Sequence, residues 1–483
     1  MKHLATTITS IEELDHFFEK NMIHFNLASS VLVQIFASRC DTDWIRHLTT
    51  AIRNFSPKWV IVGVTTDGGI LDGRVITNET VISFSIFVSS LIMPVMQKIQ
   101  PGTEIEAAES FLKKLEPVVS RTKGVLLFAT TFSVDCSLLL QQIYNRFPGL
   151  PLFGGGAADY SSLNRTLVFS DDQMFDSGLA AIVFIGEELH LTRKTYLGWR
   201  PVGKTMTVTK TDGFIIREID GKPAFEVYEK YLGIKHGDNF YTDAIEFPLL
   251  LKRGKHTLAR VPVFSGDDGS ISLVADIKEG EKLQLGYGQI DMILENANKL
   301  RSEIAEFAPQ AIFFYSCAVR RAFMQEEVEL ELLPLQKTAL SAGFFTAGEF
   351  CDLGDQSPLM NSTIVVAALR EGEPEIKPVE TIIPETANPD PYQRRHTHIL
   401  SRFQHLVDTI ANELTETNKD LKKQTDEIRK LRGILPICSA CKKIRDDKGY
   451  WNQLEMYIQE NSGIQFSHSL CPECYEKLYY DII

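Results

Sequence analysis

Four cysteines near the C-terminus have the spacing of a metal site. Cys438 and Cys441 form one Cys-x-x-Cys pair, and Cys471 and Cys474 form a second pair after 29 intervening residues. Four thiolates can surround Zn²⁺ as a closed tetrahedron, which leaves no position for a substrate. The spacing therefore predicts a structural zinc site in a small module over residues 436–483. A redox function for each pair is the alternative, and two pairs in one tail favour zinc.

A nearby histidine and the charge balance of this tail limit the functions that it could have. His468, three residues before Cys471, is a fifth candidate ligand, although a surface position or a contact behind the ligands is the favoured interpretation. Residues 434–483 carry five Lys and Arg side chains against seven Asp and Glu. Because nucleic acid rewards a basic surface, this charge balance argues against a nucleic-acid partner.

A second set of residues could bind a small molecule. Arg320 follows the apolar run AIFFYSCAV, and a guanidinium can hold a carboxylate through two parallel hydrogen bonds. Glu349, between Gly348 and Phe350, could hold an ammonium group. An arginine and a glutamate together would suit an amino acid, whose two charged ends need opposite partners. The alternative for each side chain is a solvated position or an internal salt bridge.

Small residues at predicted strand ends complete this candidate site. Gly68 and Gly155 lie in loops beside apolar runs, where glycine lets backbone N–H groups approach a ligand closely. The alternative for each glycine is a tight turn. Thr66 is the remaining predicted ligand-binding residue, and further candidates are Asp159, Thr346 and Asn361.

An enzymatic site is the competing interpretation of the same region. Cys317, at the end of a predicted strand, is the best candidate nucleophile, and His236 or His256 could act as its base. A single buried cysteine, however, usually behaves as a small apolar side chain. The sequence contains no phosphate-binding Walker loop and no His-Glu-x-x-His motif, so we expect a binding protein rather than an enzyme.

Alternating strands and helices must position these residues. Apolar runs such as WVIVGVTT and AIFFYSCA are typical of buried strands, and DTDWIRHLTTAIRNF has the apolar spacing of a helix. The pattern predicts an α/β fold with mixed sheets and helices. A weak internal repeat, Gly-x-x-Thr-x-Gly-x-apolar from Gly63 and again from Gly343, indicates two related halves.

The overall composition limits the class of protein. The chain has 483 residues, of which 44% are hydrophobic and 23% charged, and its net charge is −13. This acidity argues against a general affinity for nucleic acid or for an anionic membrane. No segment is apolar enough for a membrane span, and the N-terminus lacks the pattern of a signal peptide. We therefore expect a cytoplasmic protein with reduced cysteines, in agreement with a zinc site.

A long helix is predicted between residues 392 and 435. Its apolar positions are spaced alternately four and three residues apart, as in a coiled coil. The stripe is narrow, and we expect it to pair two copies of the chain through residues 403–435. The alternative is a surface helix packed on its own domain. The stripe consists of Phe403, Val407, Ile410, Leu414, Thr417, Leu421, Gln424, Ile428, Leu431 and Leu435.

Six phrases in the first 370 residues occur in the order found in one known family. They are VGVTTDGGILDG, PLFGGGAADY, YLGWRPVG, EIDGKPAFEVYEKYLG, YSCAVRRAF and SAGFFTAGEF. Together they resemble the FIST domain, a sensory module of intracellular signalling proteins that has N- and C-terminal parts. The resemblance implies a ligand-sensing role, with amino acids or other small metabolites as ligands. The tail resembles a cysteine-rich module at the C-termini of bacterial signalling proteins.

Together these patterns predict six segments of the chain and lead to one hypothesis about its function. The hypothesis is a sensor that passes ligand binding through a dimeric helix to the tail and onward to an unidentified signalling protein. A metabolic enzyme that uses Cys317 and a constitutive scaffold are the alternatives. The segments are an N-terminal helical extension (1–24), a FIST N-like domain (25–220), a FIST C-like domain (221–370), a Pro-rich linker (371–391), the coiled-coil helix (392–435) and the zinc module (436–483).

Overall fold

One order of strands and helices occurs three times in the computed structural model of the chain. Each repeat runs strand, helix, strand, helix, strand, then a short hairpin and a returning strand. The first repeat consists of β1 (Lys2–Ile8), α1 (Ile11–Phe25), β2 (Ser30–Ala37), α2 (Thr42–Phe55), β3 (Val60–Thr65), β4 (Gly69–Leu71), β5 (Arg74–Ile76) and β6 (Thr80–Phe87). The second consists of β7 (Leu91–Lys98), α3 (Glu104–Leu115), β8 (Thr122–Ala129), α4 (Cys136–Arg146), β9 (Leu152–Gly156), β10 (Val168–Ser170), β11 (Gln173–Phe175) and β12 (Gly178–Ile185).

The third repeat has an insertion after its first strand, β13 (Leu189–Tyr196). The insertion contains β14 (Trp199–Asp212), β15 (Ile215–Ile219), β16 (Lys222–Pro223), α5 (Phe225–Leu232), α6 (Phe240–Ala244), β17 (Leu249–Arg253), β18 (His256–Arg260), β19 (Pro262–Ser265), β20 (Ile271–Leu273) and β21 (Lys282–Gly288). The repeat then continues with α7 (Ile290–Phe307), β22 (Ala311–Cys317), α8 (Ala318–Met324), α9 (Val328–Gln336), β23 (Ser341–Thr346), β24 (Glu349–Cys351), β25 (Leu359–Met360) and β26 (Ile364–Glu371).

The structure describes residues 1–26, 28–159, 165–171, 173–237, 240–356, 358–375, 396–432, 436–446 and 448–479. By contacts, these residues divide into two units, Met1–Val407 and Asp408–Ile483. Most of the predicted linker 371–391 and the last stripe position, Leu435, lie outside the described residues.

Each repeat builds the centre of one six-stranded sheet. Two strands of the repeat lie parallel there, namely β2 with β3, β8 with β9, and β22 with β23. The returning strand and then the first strand of the same repeat follow on one side, both antiparallel. Apolar stripes of two helices cover each sheet, as with Ile45, Leu48 and Ile52 of α2 in the first repeat. The three sheets thus have three separate helix-covered cores.

The outer two strands of each sheet come from a different repeat. Strands β4 and β5 follow β3 but continue the third sheet, where Ile70 lies opposite Gly343. Strands β24 and β25 follow β23 but continue the second sheet, where Phe350 lies opposite Gly154. Strands β10 and β11 follow β9 and continue the first sheet beside β3. This exchange is cyclic, so each sheet is complete only when another repeat is present.

Aromatic side chains from all three repeats meet where the inner faces of the sheets converge. The Phe36 ring of β2 stacks on Phe344 of β23 at 5.1 Å between centroids. The Phe128 ring of β8 packs edge-on against Phe344 at 5.4 Å and against Tyr315 of β22 at 6.0 Å. Because the sheets are covered by helices outside and by each other inside, their strands are continuous apolar runs.

The architecture corrects two of the sequence predictions. The chain has three related repeats rather than two related halves, and Gly63, Gly154 and Gly343 occupy equivalent places in β3, β9 and β23. In the second repeat, Ala157 replaces the Thr of the repeated pattern. The pattern therefore did not reveal this copy in the sequence. Residues 1–24 are also no helical extension, because β1 is a strand of the first sheet, paired with β6 along its length.

The insertion and the C-terminal region add further elements. The inserted strands form an eight-stranded sheet in the order β18-β17-β21-β14-β15-β20-β19, with β16 paired to β15. The second unit includes the larger part of a long helix, α10, and a small tail. These elements are α10 (His396–Arg432), β27 (Ile444–Arg445), β28 (Trp451–Asn452), α11 (Leu454–Ser462) and α12 (Pro472–Tyr479). None of the helices in the described part of the chain has both the length and the apolar character that crossing a membrane requires.

Candidate functional site

The chain passes from one sheet to another at three loops. These loops meet at one place, and a cavity lies beside them. The crossing loops are residues 66–68 after β3, 157–159 after β9 and 347–348 after β23, here called the junction loops. The cavity contains about 580 Å³ of space without atoms, part of it open to solvent. All three junction loops contribute to its lining, together with residues of α6, β19 and the start of α8.

Backbone hydrogen bonds join the junction loops into a ring. Each bond joins residues in or next to two different junction loops. The N–H groups of Ala158, Phe345 and Ala347 donate to the carbonyl oxygens of Thr65 (3.0 Å), Gly68 (2.9 Å) and Gly156 (3.0 Å). The ring fixes the backbone around the cavity without using any side chain.

Glycine is required at two points of this ring. Gly348 has a φ of +102°, a backbone conformation that residues with a side chain rarely adopt. A Cβ atom on Gly155 would lie 2.5 Å from Cγ2 of Thr346, so only glycine leaves room here for the Thr346 side chain. Both glycines therefore serve tight backbone geometry, which was the alternative interpretation of the glycines in the sequence.

The cavity combines apolar walls with a few oxygen acceptors. The lining residues with a carboxylate, amide or hydroxyl oxygen are Asp67, Asp159, Asn361, Thr346 and Tyr241. Asn361 is only 2% exposed, and its Oδ1 atom has no hydrogen-bond partner. No Lys, Arg or His side chain is among the described residues of the lining. The apolar walls come mainly from Phe132, Val261, Val263, Val274, Ala318 and Val319.

Glu349 lies directly behind Thr346, which lines the cavity. Its carboxyl group is buried and accepts hydrogen bonds from the hydroxyl groups of Thr346 (2.5 Å) and Thr363 (2.6 Å) and from the Thr363 N–H (3.1 Å). Burial raises the pKa of Glu349 to about 7, against the effect of these hydrogen bonds. The carboxyl group is thus held by the protein itself.

Arg320 is part of an internal ion pair. Its side chain is fully buried, and its Nε donates to both carboxylate oxygens of Glu331 at 2.9 and 2.8 Å. Its Nη1 group donates to the carbonyl oxygens of Leu197 (2.5 Å) and Ser362 (3.1 Å). This is the internal salt bridge that the sequence left as an alternative, and Arg320 is not among the residues that line the cavity.

The other predicted ligand residues come together but lie just behind the cavity. The Thr66 hydroxyl lies within hydrogen-bond distance of two carbonyl oxygens, that of Gly68 (2.7 Å) and that of Phe345 (2.9 Å), and can donate its one proton to either. Gly155 lies opposite Glu349 in the ladder between β9 and β24. Thr66, Gly68, Gly155 and Glu349 therefore surround the junction loops, and their role in ligand binding stays a prediction. The further candidates Asp159, Thr346 and Asn361 do line the cavity.

Sequence reasoning missed several residues of the cavity. Asp67 lies between two residues that were singled out, Thr66 and Gly68, so its position in the repeated pattern was a usable signal. Tyr241, Val261 and Val263 belong to the insertion, which brings them to the cavity from far along the chain. Their sequence surroundings carry no pattern that indicates a binding site.

The residues of the enzymatic alternative have different surroundings. Cys317 lines the cavity, and burial raises the pKa of its thiol well above the ordinary value, which disfavours a reactive thiolate. His256 pairs with Asp355, 2.7 Å between Nε2 and Oδ1, and His236 stacks on Phe225 with ring centroids 3.4 Å apart. Neither histidine is among the described residues of the lining.

The four tail cysteines are all described. Cys438 is half-buried, and Cys441, Cys471 and Cys474 are exposed. No three cysteine, histidine or acidic side chains come together as a metal-binding group in the described ranges. The donor set is chemically suited to zinc, but the two pairs are not assembled around one point, so zinc ligation stays a prediction.

Comparison with known proteins identifies the class of this chain. Family models match the FIST N domain over residues 31–222 and the FIST C domain over residues 224–352, together about two thirds of the chain. The chain belongs to the FIST-domain family, as the order of its sequence phrases predicted. FIST domains are sensory domains of signalling proteins, and a sensory rather than catalytic role follows for this class.

Individual relatives add little to this assignment. Two curated proteins from two strains of Mycobacterium tuberculosis, MT0656 and Rv0628c, are 30% identical to the chain over 98 residues, and both are described as uncharacterized. The match covers 20% of this chain, and the chain spans a quarter of the length of these relatives. A solved structure, T. maritima PurL complexed with ATP, is 10% identical over 76% of this chain and 71% of that chain, with a TM-score of 0.16. That likeness is too small to carry any inference.

We expect Glu349 to make the stability of the first unit depend on pH. Its pKa is about 7 in the folded chain and near 4.5 ordinarily, so between these values the folded state binds a proton that the unfolded state lacks. Stability should therefore fall as pH rises from about 4.5 to about 7, by up to about 3 kcal/mol. In Glu349→Gln, this decrease should be absent when urea unfolding is measured at about pH 5 and about pH 7.5.

The exposed Glu109 on α3 provides the matched control for this measurement. Glu109→Gln should keep the pH dependence of the wild-type chain. An unchanged pH dependence in Glu349→Gln would contradict the assignment of this effect to Glu349.

Proposed function

We propose that the protein is a cytoplasmic sensor that binds a small molecule in the cavity beside the junction loops. The observation that carries this proposal is the composition of the lining. Asp67 and Asp159 belong to the matched FIST N range, whereas Val261, Val319 and Thr346 belong to the matched FIST C range. A ligand between them would contact all three repeats at once, and its binding free energy could shift their arrangement.

One short helix connects the cavity to the start of the long helix. On α6, Tyr241 lines the cavity, and Asp243 lies two residues further along. Arg402 of α10 donates to the Asp243 carbonyl oxygen at 2.9 Å and pairs with its carboxylate at 2.5 Å. A ligand that displaces Tyr241 would therefore also act on the anchor of α10.

Further contacts hold the same end of α10 on the first unit. The Phe403 ring packs on Tyr287 at 4.8 Å between centroids, and Leu406 is completely buried. The His405 ring nitrogen donates to the Lys230 carbonyl oxygen at 3.1 Å. We infer that these contacts transmit the state of the sensor to the helix, because α10 continues without interruption to Arg432.

Beyond this anchor, α10 presents the stripe expected of a coiled coil. Val407, Leu414, Leu421 and Ile428 recur every seven residues, and each side chain is about half exposed. Phe403, the first position of the predicted stripe, packs on the first unit instead, so the part available for pairing begins at Val407. We propose that a second copy of the chain covers this stripe and that the pair moves as one unit.

The tail is proposed as a zinc-stabilised docking module for a signalling protein. Among the described residues of the tail, Ile444 is buried, whereas Trp451, Met456, Tyr475 and other large apolar side chains are exposed. Such a small domain needs metal or a partner to stabilise its fold. Cys438, Cys441, Cys471 and Cys474 would hold the metal, which would fix the two ends of the tail to each other.

Ligand binding should stabilise the full-length protein measurably. In a thermal-shift screen of amino acids, amines, alcohols and small carboxylates, a true ligand at about 100 times its Kd adds about 2.7 kcal/mol. Val319→Trp, which places an indole in the cavity, should abolish the shift. Val88→Trp, at an exposed position outside the lining, is the control and should keep the shift.

No shift from any class of compound, or an equal shift in the Val319→Trp variant, would refute a ligand site in this cavity. Asn361→Leu, a smaller change in the same lining, provides a second test if Val319→Trp fails to fold.

The stripe on α10 should set the oligomeric state. Replacing Leu414 and Leu421 by Asp places two charges in the stripe. This change should convert a dimer into a monomer at about 10 µM, as measured by sedimentation. Lys419→Asp, on the opposite side of the helix, introduces the same charge and should leave the dimer intact. A wild-type chain that is monomeric at this concentration would contradict dimerisation through α10.

Zinc analysis tests the tail independently. The full-length protein, purified without chelator, should contain about one zinc per chain, and Cys438→Ser with Cys471→Ser should lower this below about half. Cys40→Ser, in the first repeat, should not change the zinc content. A wild-type zinc content below about half an equivalent would rule out ligation by four thiolates.

A further inference from the structure

We infer that α10 pairs with a second copy of the chain in parallel and in register, so that both tails follow the same end of the pair. This inference rests on the proposed function, since it specifies how the proposed dimer is arranged. The residues that carry it lie on α10 beyond Val407, in the second unit of the chain.

Two rows of side chains flank the stripe, and they differ in charge. Between residues 410 and 428, the residues directly before three aliphatic stripe positions are acidic, and those directly after the other three positions are neutral. The acidic row consists of Glu413, Asp420 and Glu427. The neutral row consists of Ala411, Asn418 and Thr425. Both rows recur every seven residues and are exposed or half-buried, so each lies along one edge of the contact that a coiled coil forms.

The orientation of a coiled coil decides which rows meet. In a parallel pair, the acidic row of each helix faces the neutral row of its partner, so acidic side chains lie beside Asn418 and Thr425. In an antiparallel pair, the acidic row of each helix faces the acidic row of its partner. Like charges that face each other oppose association, whereas an acidic side chain beside a neutral one does not. The charge pattern therefore favours the parallel orientation.

A polar residue inside the stripe favours the same orientation. In a parallel pair that is in register, equivalent positions face each other, so Gln424 meets the partner's Gln424. The two amides can then exchange hydrogen bonds, because each has both donors and an acceptor. In an antiparallel pair, Gln424 would instead face one of the aliphatic positions that recur from Val407, and its amide would lack a partner.

Thr417, the other polar position of the stripe, is suited to an apolar contact. Its hydroxyl donates to the Glu413 carbonyl oxygen at 2.8 Å, within its own helix. A hydroxyl that is satisfied in this way leaves the methyl group to face the second copy. Between Val407 and Ile428, Gln424 is therefore the stripe residue whose polar group requires a specific partner, and a single such residue can fix the register of a coiled coil.

A double substitution that acts in opposite directions in the two orientations tests the inference on the full-length protein. Asn418→Lys with Thr425→Lys gives the neutral row two positive charges. In a parallel dimer these charges meet the acidic row, and we expect the dimer Kd to fall about tenfold because four ion pairs form per dimer. In an antiparallel dimer they would face one another and raise the Kd. Sedimentation equilibrium between about 0.1 and 100 µM measures this Kd.

Asn412→Lys with Thr415→Lys is the matched control, because it introduces the same side chains outside the stripe and its two flanking rows. It should leave the Kd unchanged within about threefold. The two threonines also match, since Thr415 and Thr425 donate to the carbonyl oxygens of Ala411 and Leu421, at 2.8 and 2.7 Å. If the dimers dissociate below the measured range, Ile428→Ala in all three proteins weakens the contact and brings the comparison into range.

The outcomes separate the orientation from the dimer itself. A wild-type dimer whose Kd rises or stays unchanged in Asn418→Lys with Thr425→Lys would overturn the parallel arrangement but leave the proposed dimer intact. A wild-type chain that stays monomeric up to about 100 µM would overturn both the arrangement and the proposed dimer.

Discussion

The cyclic exchange of hairpins is the constraint on which the rest of the structure depends. Each repeat gives its hairpin to another sheet and receives one in return, so each six-stranded sheet contains strands of two repeats. An antiparallel hairpin can extend a sheet only when its backbone groups pair along the receiving edge. The exchange therefore leaves no repeat with a complete sheet of its own, and it brings the three chain crossings to one place. The cavity beside the junction loops follows directly from this topology.

Buried charges keep the chain next to the cavity in one arrangement. The pair of Arg320 with Glu331 and the contact of Arg321 with Asp67 both involve fully buried arginines at the start of α8. Such side chains must be satisfied by specific partners, because an unpaired buried charge costs several kcal/mol. Two adjacent arginines thus hold α8, α9 and the first junction loop in register. This internal use keeps both of them out of the described lining of the cavity.

The connection between cavity and long helix gives the fold a route for signalling. The insertion of the third repeat supplies α6, which contributes Tyr241 to the lining and Asp243 to the anchor of α10. The anchor ends near Val407, and the exposed stripe of α10 begins there. The same helix therefore has one end that packs on the sensor and another that is suited to pairing. A small displacement at the anchor would change how the stripe is presented, since a helix transmits motion as a rigid element.

Local sequence patterns determined the elements and the family of this protein, and the structure or the family models confirmed them. Apolar runs predicted strands, helical spacing predicted α2, and ordered phrases predicted the FIST domains. The sequence also singled out Thr66, Gly68 and Gly155, which lie in or beside the junction loops. What it could not determine was which side chains face the cavity. Arg320 and Glu349 have the right chemistry for a ligand, but their partners Glu331 and Thr363 are chosen by packing between distant elements. Only the tertiary structure decided this, because hairpin exchange brings residues from three repeats and an insertion to one place, and no local pattern records that exchange.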